Sequence, residues 1–145
     1  MTRERVLIAR VGCEYFGLPL GSVLEAMDGA EVTQVPLTPS GVLGQCTHRG
    51  ALLPVLDPLY ALGVALDQAP TTLLVIVAEQ PFALAVDDVT DMTTVHDDAR
   101  RALPAGTDRA GVLTGLFAVD GLLVGAVDMD VLASTAGSLL TPGTR

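Results

Sequence analysis

Lysine is missing from this chain of 145 residues, and so is tryptophan. Without lysine there is neither a Gly-rich phosphate loop ending in Lys-Ser/Thr nor an amine for Schiff-base chemistry. Aromatic residues make up 3% of the chain, too few for the stacked rings that grip single-stranded nucleic acid. Positive charge is scarce: eight arginines stand against 17 acidic residues, for a formal net charge of −9. That balance repels phosphate backbones and anionic lipid and argues against nucleic-acid partners. The longest strongly apolar run, Leu73–Ala78, falls far short of the ~20 residues of a spanning helix. The few apolar residues before Arg10 do not make the continuous stretch of about 7–15 that a signal peptide needs. A cytoplasmic chain with no direct membrane insertion is expected. Cys13 and Cys46 form no Cys-x-x-Cys unit, and in a reducing compartment both are expected to be small packing residues.

What the chain does have is apolar bulk. Half its residues are hydrophobic and only 17% are charged, which excludes disorder. Strand signals dominate. Val6–Val11 and Tyr15–Leu20 flank Gly12-Cys13-Glu14, and Leu73–Ala78 and Phe82–Val86 flank Glu79-Gln80-Pro81; both read as hairpins. Leu116–Val119 and Leu122–Val127 flank Asp120-Gly121, a pair suited to a turn with two positive φ angles. A further strand runs from near Ala51 to Leu56. Helices read as few and short. Asp57-Pro58 opens one that Gly63 closes, Ser22-x-x-Glu25 has capping-box spacing for a brief turn, and Asp128 and Asp130 precede another turn. Residues 137–145 read as a loose tail after a domain spanning 1–136. Phe16-x-Leu18-x-Leu20-x-x-Val23 matches Phe82-x-Leu84-x-Val86-x-x-Val89, which suggests two similar small β units. No linker separates them, so they are expected to pack as one body.

Catalytic constellations are thin. Cys46 and His48 could share a strand face, but no third group orients them. Asp87-Asp88-x-x-Asp91 resembles a Mg²⁺-binding motif, yet it follows a β-type run and reads as a solvated strand end. His96-Asp97-Asp98 and Asp128-x-Asp130 offer too few oxygens for a dedicated Ca²⁺ site. A metal- or ligand-binding barrel enzyme using Asp87, Asp88, Asp91 and His96 is the rival from a different class. The reading preferred is a binding module without catalytic residues, metal or cofactor.

Between Val11 and Ala99 the one arginine is Arg49, inside Gly44-Gln45-Cys46-Thr47-His48-Arg49-Gly50-Ala51-Leu52-Leu53-Pro54-Val55-Leu56-Asp57. This segment resembles the signature of the CheW-like chemotaxis coupling proteins, roughly Val-x-Gly-x-x-Asn-Leu-Arg-Gly-x-x-x-Pro-Val-x-Asp-Leu. Gly44, Arg49, Gly50, Pro54, Val55 and Asp57 fall in register with it. The stretches Glu14–Glu25, Phe82–Val89 and Gly115–Leu132 are similar to other parts of the family, so the resemblance covers nearly the whole chain. Thr47-His48 stands where the family has Asn-Leu, and Pro58 where it has Leu. These departures bear on partner affinity rather than on the fold.

The resemblance implies an all-β architecture: two intertwined five-stranded SH3-like barrels with a shared hydrophobic core and a few short helices. Their expected bounds are roughly 14–72 and 73–133, with strand 5–12 joining the second. It implies a non-catalytic adaptor that binds the cytoplasmic tip of methyl-accepting chemoreceptors and the regulatory domain of a histidine kinase. A pilus-motility or developmental circuit is the alternative setting. Val23, Gly44 and Arg49 match family positions tied to receptor contact, while Gly50, Pro54, Asp57, Asp120 and Gly121 are expected to be structural. Kinase contact is expected at barrel edges, with no residue singled out.

Overall fold

The computed structural model describes residues 3–96, 99–106 and 110–140. Its strands are β1 (Arg3–Val11), β2 (Glu14–Pro19), β3 (Val23–Met27), β4 (Val42–His48), β5 (Ala51–Leu56), β6 (Thr72–Ile76), β7 (Phe82–Val86), β8 (Asp88–His96), β9 (Arg100–Arg101), β10 (Leu113–Val119) and β11 (Leu122–Val127). Two helices, α1 (Pro58–Ala61) and α2 (Met129–Leu140), complete it. One sheet has the order β8-β1-β2-β11-β10-β9 and the other β3-β6-β7-β5-β4.

The central strands are apolar on both faces because each face meets a different core. Along β1, Val6 and Ile8 join Phe117, Val124 and Ala126 inside the first sheet, while Leu7, Ala9 and Val11 point the other way. Along β6 and β7, Leu73, Val75, Ala83 and Ala85 fill the interior of the second sheet. Leu74, Ile76, Phe82, Leu84 and Val86 meet Leu7, Ala9, Val11, Phe16 and Leu18 between the sheets. The period-two alternation of a strand thus sends one set of side chains into a barrel and the other into the shared core. Continuous apolar runs are what such two-faced burial requires.

The first sheet must curl. His96 at the end of β8 and Arg100 at the start of β9 lie on opposite edges of the sheet. Four chain steps reach at most ~14 Å, whereas the edges of a flat six-stranded sheet stand ~24 Å apart. β8 and β9 therefore act as one interrupted strand that closes the sheet on itself, which reconciles six strands here with the five expected.

The chain passes between the two units twice, because the second is inserted in the first. The hairpin β1–β2 lies in the first sheet, but β3, which follows it, crosses to pair with β6. The hairpin β6–β7 lies in the second sheet, but β8 crosses back to pair with β1. β2 and β7 each pair in parallel with a later or earlier hairpin, β11 and β5 respectively. The repeat at Phe16 and Phe82 marks these equivalent central strands, and all its apolar positions pack on the shared core. The division of the chain therefore differs from 14–72 and 73–133. Residues 23–86 supply the second sheet, and residues 3–19 with 88–127 supply the first.

Local chemistry explains the ends of the elements. Gly12, at φ 59, opens the two-residue turn after Val11. Asp120 and Gly121, at φ 48 and 80, form the expected turn of β10–β11. Asp57 Oδ1 accepts the Leu59 amide at 3.0 Å and Pro58 takes the first helical position of α1. Ser22-x-x-Glu25 caps no helix: Leu20–Ser22 is a single 3₁₀ turn and Glu25 lies on β3. The segment from Met129 to Leu140 is also more regular than expected. Asp128 Oδ1 accepts the Asp130 and Val131 amides, and α2 continues to Leu140 because Leu132 and Ala136 bury against the shared core. The loose tail expected from 137 is thus helical through 140, and residues 141–145 lie outside the described residues.

Asp87 is not a solvated strand end. Its side chain is fully buried, and it accepts amide hydrogens from Gly12 at 2.7 Å, Asp67 at 3.0 Å and Gln68 at 3.2 Å. Arg10 Nη1 stands 3.9 Å from the same carboxylate and donates to the Gly12 carbonyl at 2.7 Å. One acid thereby ties the β1–β2 turn to the loop before β6, at the point where β7 passes into β8. Replacing Asp87 with Ala leaves three amides without their acceptor and is expected to cost about 3 kcal/mol, read by urea denaturation. Asp87→Asn, which keeps one oxygen, is expected to lose less.

Candidate partner-binding site

The segment that carries the resemblance folds as the hairpin β4–β5. His48 pairs with Ala51, so Arg49 and Gly50 make a two-residue turn at φ 52 and 81. Both positive angles identify a type I′ turn, the geometry that Asp120-Gly121 also adopts. Asn, Asp or Gly suits the first position. An arginine there carries the Cβ–carbonyl repulsion of the left-handed region, ~1–2 kcal/mol. The turn thus holds a strained, long cation at its tip, with the side chain 74% exposed.

The neighbours of the tip come from β3. Glu25 Oε1 lies 2.8 Å from His48 Nε2 and 3.7 Å from Arg49 Nη2. The family's aliphatic position before the arginine is thus filled by a buried imidazole whose polar nitrogen has a partner. Glu25 and His48 join the outer strands of the second sheet, whose edges otherwise meet through Thr33. Thr33 and Gln45 exchange two backbone hydrogen bonds of 2.8 Å. Beside this seam lies an open cleft of about 610 Å³ lined in part by Glu25, Asp28, Thr33 and Gln45.

Each of the other expected residues has a place. Gly44 is buried at φ 152, next to a register shift in β4. A Cβ there would collide with the Thr33 carbonyl oxygen. The backbone that Gly44 admits is therefore the chain's own. Val23 opens β3 opposite Ile76, half-buried against the shared core, with Leu24 exposed beside it. Gly50 faces open space. Pro54 lies opposite Gln45, whose backbone groups point away to Thr33, and the ladder to β7 begins only at Val55. The missing amide hydrogen of Pro54 thus leaves no gap in the sheet. Asp57 donates its amide hydrogen to Gly41 besides capping α1.

The structure brings together Arg49, His48 and Glu25, places Gly44 four residues back along β4 against Thr33, and leaves the carboxylates of the rival reading apart. Asp88, Asp91 and His96 are exposed along β8 while Asp87 is buried. Among the described residues no three His, Cys, Asp or Glu side chains converge as metal ligands do. Asp97 and Asp98 lie outside the described residues. Cys46 sits in the second barrel's interior with Leu53 and Val55, and burial pushes its thiol pKa up. Cys13, expected to be packed, is exposed in the turn after β1. The role of Glu25 was hidden because its partners lie on another strand; the unusual His48 was the available signal.

Comparison with known proteins gives a consistent result. The CheW-like domain family matches residues 5–137. The chemotaxis protein CheW of Rhizobium meliloti (strain 1021) is 32% identical over 132 residues, covering 87% of this chain and 85% of that protein. Protein FrzA of Myxococcus xanthus is 46% identical over 50 residues, covering 34% of this chain and 31% of FrzA. The crystal structure of the scaffolding protein TtCheW from Thermoanaerobacter tengcongensis superposes with a TM-score of 0.78 at 19% identity, covering 91% of this chain and 88% of that one.

Relief of the turn strain gives a testable sign. Arg49→Asn is expected to stabilise the protein by about 1 kcal/mol, and Gly44→Ala to destabilise it by about 2 kcal/mol or more, both measured by thermal melting. The thiols are expected to separate: near neutral pH a disulfide reagent titrates Cys13 in the native protein and reaches Cys46 only in denaturant, since a raised pKa leaves Cys46 less thiolate.

Proposed function

The chain belongs to the CheW-like family, and from that premise we propose that it is a non-catalytic adaptor coupling chemoreceptors to a chemotaxis-type histidine kinase. The observation that carries this reading is Arg49. A long cation is held in a backbone conformation that a short residue would fill more comfortably, and it is presented to solvent on a rigid hairpin. A planar guanidinium so placed can make directed, paired hydrogen bonds to carboxylates or carbonyls on a partner.

Receptor contact centres on Arg49. Val23 and its exposed neighbour Leu24 supply apolar area on β3, and Gly44 sets the position of the hairpin through Thr33. The kinase regulatory domain meets the barrel edges. The protein contributes geometry and effective concentration, holding two larger partners in a fixed relation. Among the described residues no helix is long and apolar enough to cross a membrane. The adaptor is read as cytoplasmic and reaches the membrane through its receptor.

The test is affinity capture from the source cell with wild-type and Arg49→Glu baits. Wild type is expected to recover a transmembrane receptor together with a histidine kinase. The variant is expected to lose the receptor while its melting temperature stays within about 3 °C. Undiminished receptor recovery by the folded variant would remove Arg49 from the contact. The identity of the recovered pair also separates a flagellar circuit from a pilus-motility or developmental one.

A further inference from the structure

We propose that His48 is a positioning residue that keeps Arg49 available by holding Glu25 away from it. The inference rests on the reading of Arg49 as the partner contact and adds what regulates it. One carboxylate oxygen, Glu25 Oε1, is the nearest acidic atom to both basic groups: it lies 2.8 Å from His48 Nε2, within hydrogen-bond range, and 3.7 Å from Arg49 Nη2, beyond it. The two contacts also differ in exposure. The His48 side chain is 9% exposed and that of Arg49 is 74% exposed. The bond to His48 is part-buried and fixed by a ring buried in β4, whereas the looser Arg49–Glu25 ion pair lies on a wet surface between two flexible side chains.

An aliphatic side chain at position 48 has no donor for Glu25. The carboxylate then has one cation within reach, Arg49, and closing from 3.7 Å to contact takes only a small rotation of either side chain. A partner carboxylate would have to displace Glu25 before it could engage the guanidinium. With His48 present that carboxylate is anchored on the imidazole, and its hold on Arg49 stays at 3.7 Å. The same bond also pins the outer edges of the second barrel together, so its removal has a structural effect that the test must separate from the positioning one.

Arginine-selective modification by phenylglyoxal, mapped by mass spectrometry, reads the availability of Arg49 without any partner. His48→Leu is expected to slow modification at Arg49 about three- to five-fold, the scale of one exposed ion pair. The double variant His48→Leu/Glu25→Gln, which lacks both the holder and the competitor, is expected to recover the wild-type rate. Receptor capture is expected to follow the same order: lowered in His48→Leu and restored in the double variant. An unchanged Arg49 rate in folded His48→Leu, or a double variant as slow as the single one, overturns the proposal. If the modification rates behave as stated while wild type captures no receptor, the positioning role stands and the adaptor reading falls.

Discussion

Everything in this fold depends on strands that bury both of their faces. β1, β6 and β7 each divide their side chains between a barrel interior and the core between the barrels. The demand is severe, since it leaves no exposed face on which to place polar residues. It accounts for the high apolar content at low charge, and for the small residues Ala83 and Ala85 inside the second barrel, where a narrow interior leaves little volume. Charge is displaced to strand ends, to the turns and to the outer strands, as with Arg3, Arg5 and Arg10 on β1 and Arg49 at a hairpin tip.

The polar groups that do enter the interior are all engaged. Asp87 organises three amides and lies close to Arg10, and among the described residues no buried side-chain nitrogen or oxygen lacks a partner. Against that background Arg49 is a cation whose backbone is strained, whose side chain is mostly in water and whose paired acid, Glu25, lies 3.7 Å away. In a fold that resolves its internal polar contacts so fully, the strain kept at this hairpin tip is the feature on which the proposed receptor contact rests.

Much of this was legible in the residues. Three hairpins, the cap at Asp57 and the I′ turn at Asp120-Gly121 follow from short-range chemistry that tertiary contacts do not override. The repeat at Phe16 and Phe82 was visible because equivalent strands face one core. β8 escaped notice because it is a largely exposed outer strand, where alternation is weak and a bulge opposite Ile8 and Ala9 breaks the register. The start of α2 at Asp128 was legible, but its length was hidden by its Ser, Thr and Gly content, although Met129, Leu132, Ala136 and Leu139 recur at helical spacing and pack on the core. Asp87 looked like part of an exposed acidic run because burial is decided by loops distant in sequence. For the same reason the meeting of Glu25 with His48 and Arg49, set by the closure of a barrel, had no local signature.

The crossing of β3 and β8 has a mechanical meaning. Two bodies joined by a single tether can pivot, and a push on one is lost in the joint. Here the second sheet, residues 23–86, is inserted between two segments of the first, so the chain crosses between the bodies twice over a common interior. Such a fastening has no axle. Two connections and a shared apolar interior oppose the relative rotation that one tether would permit.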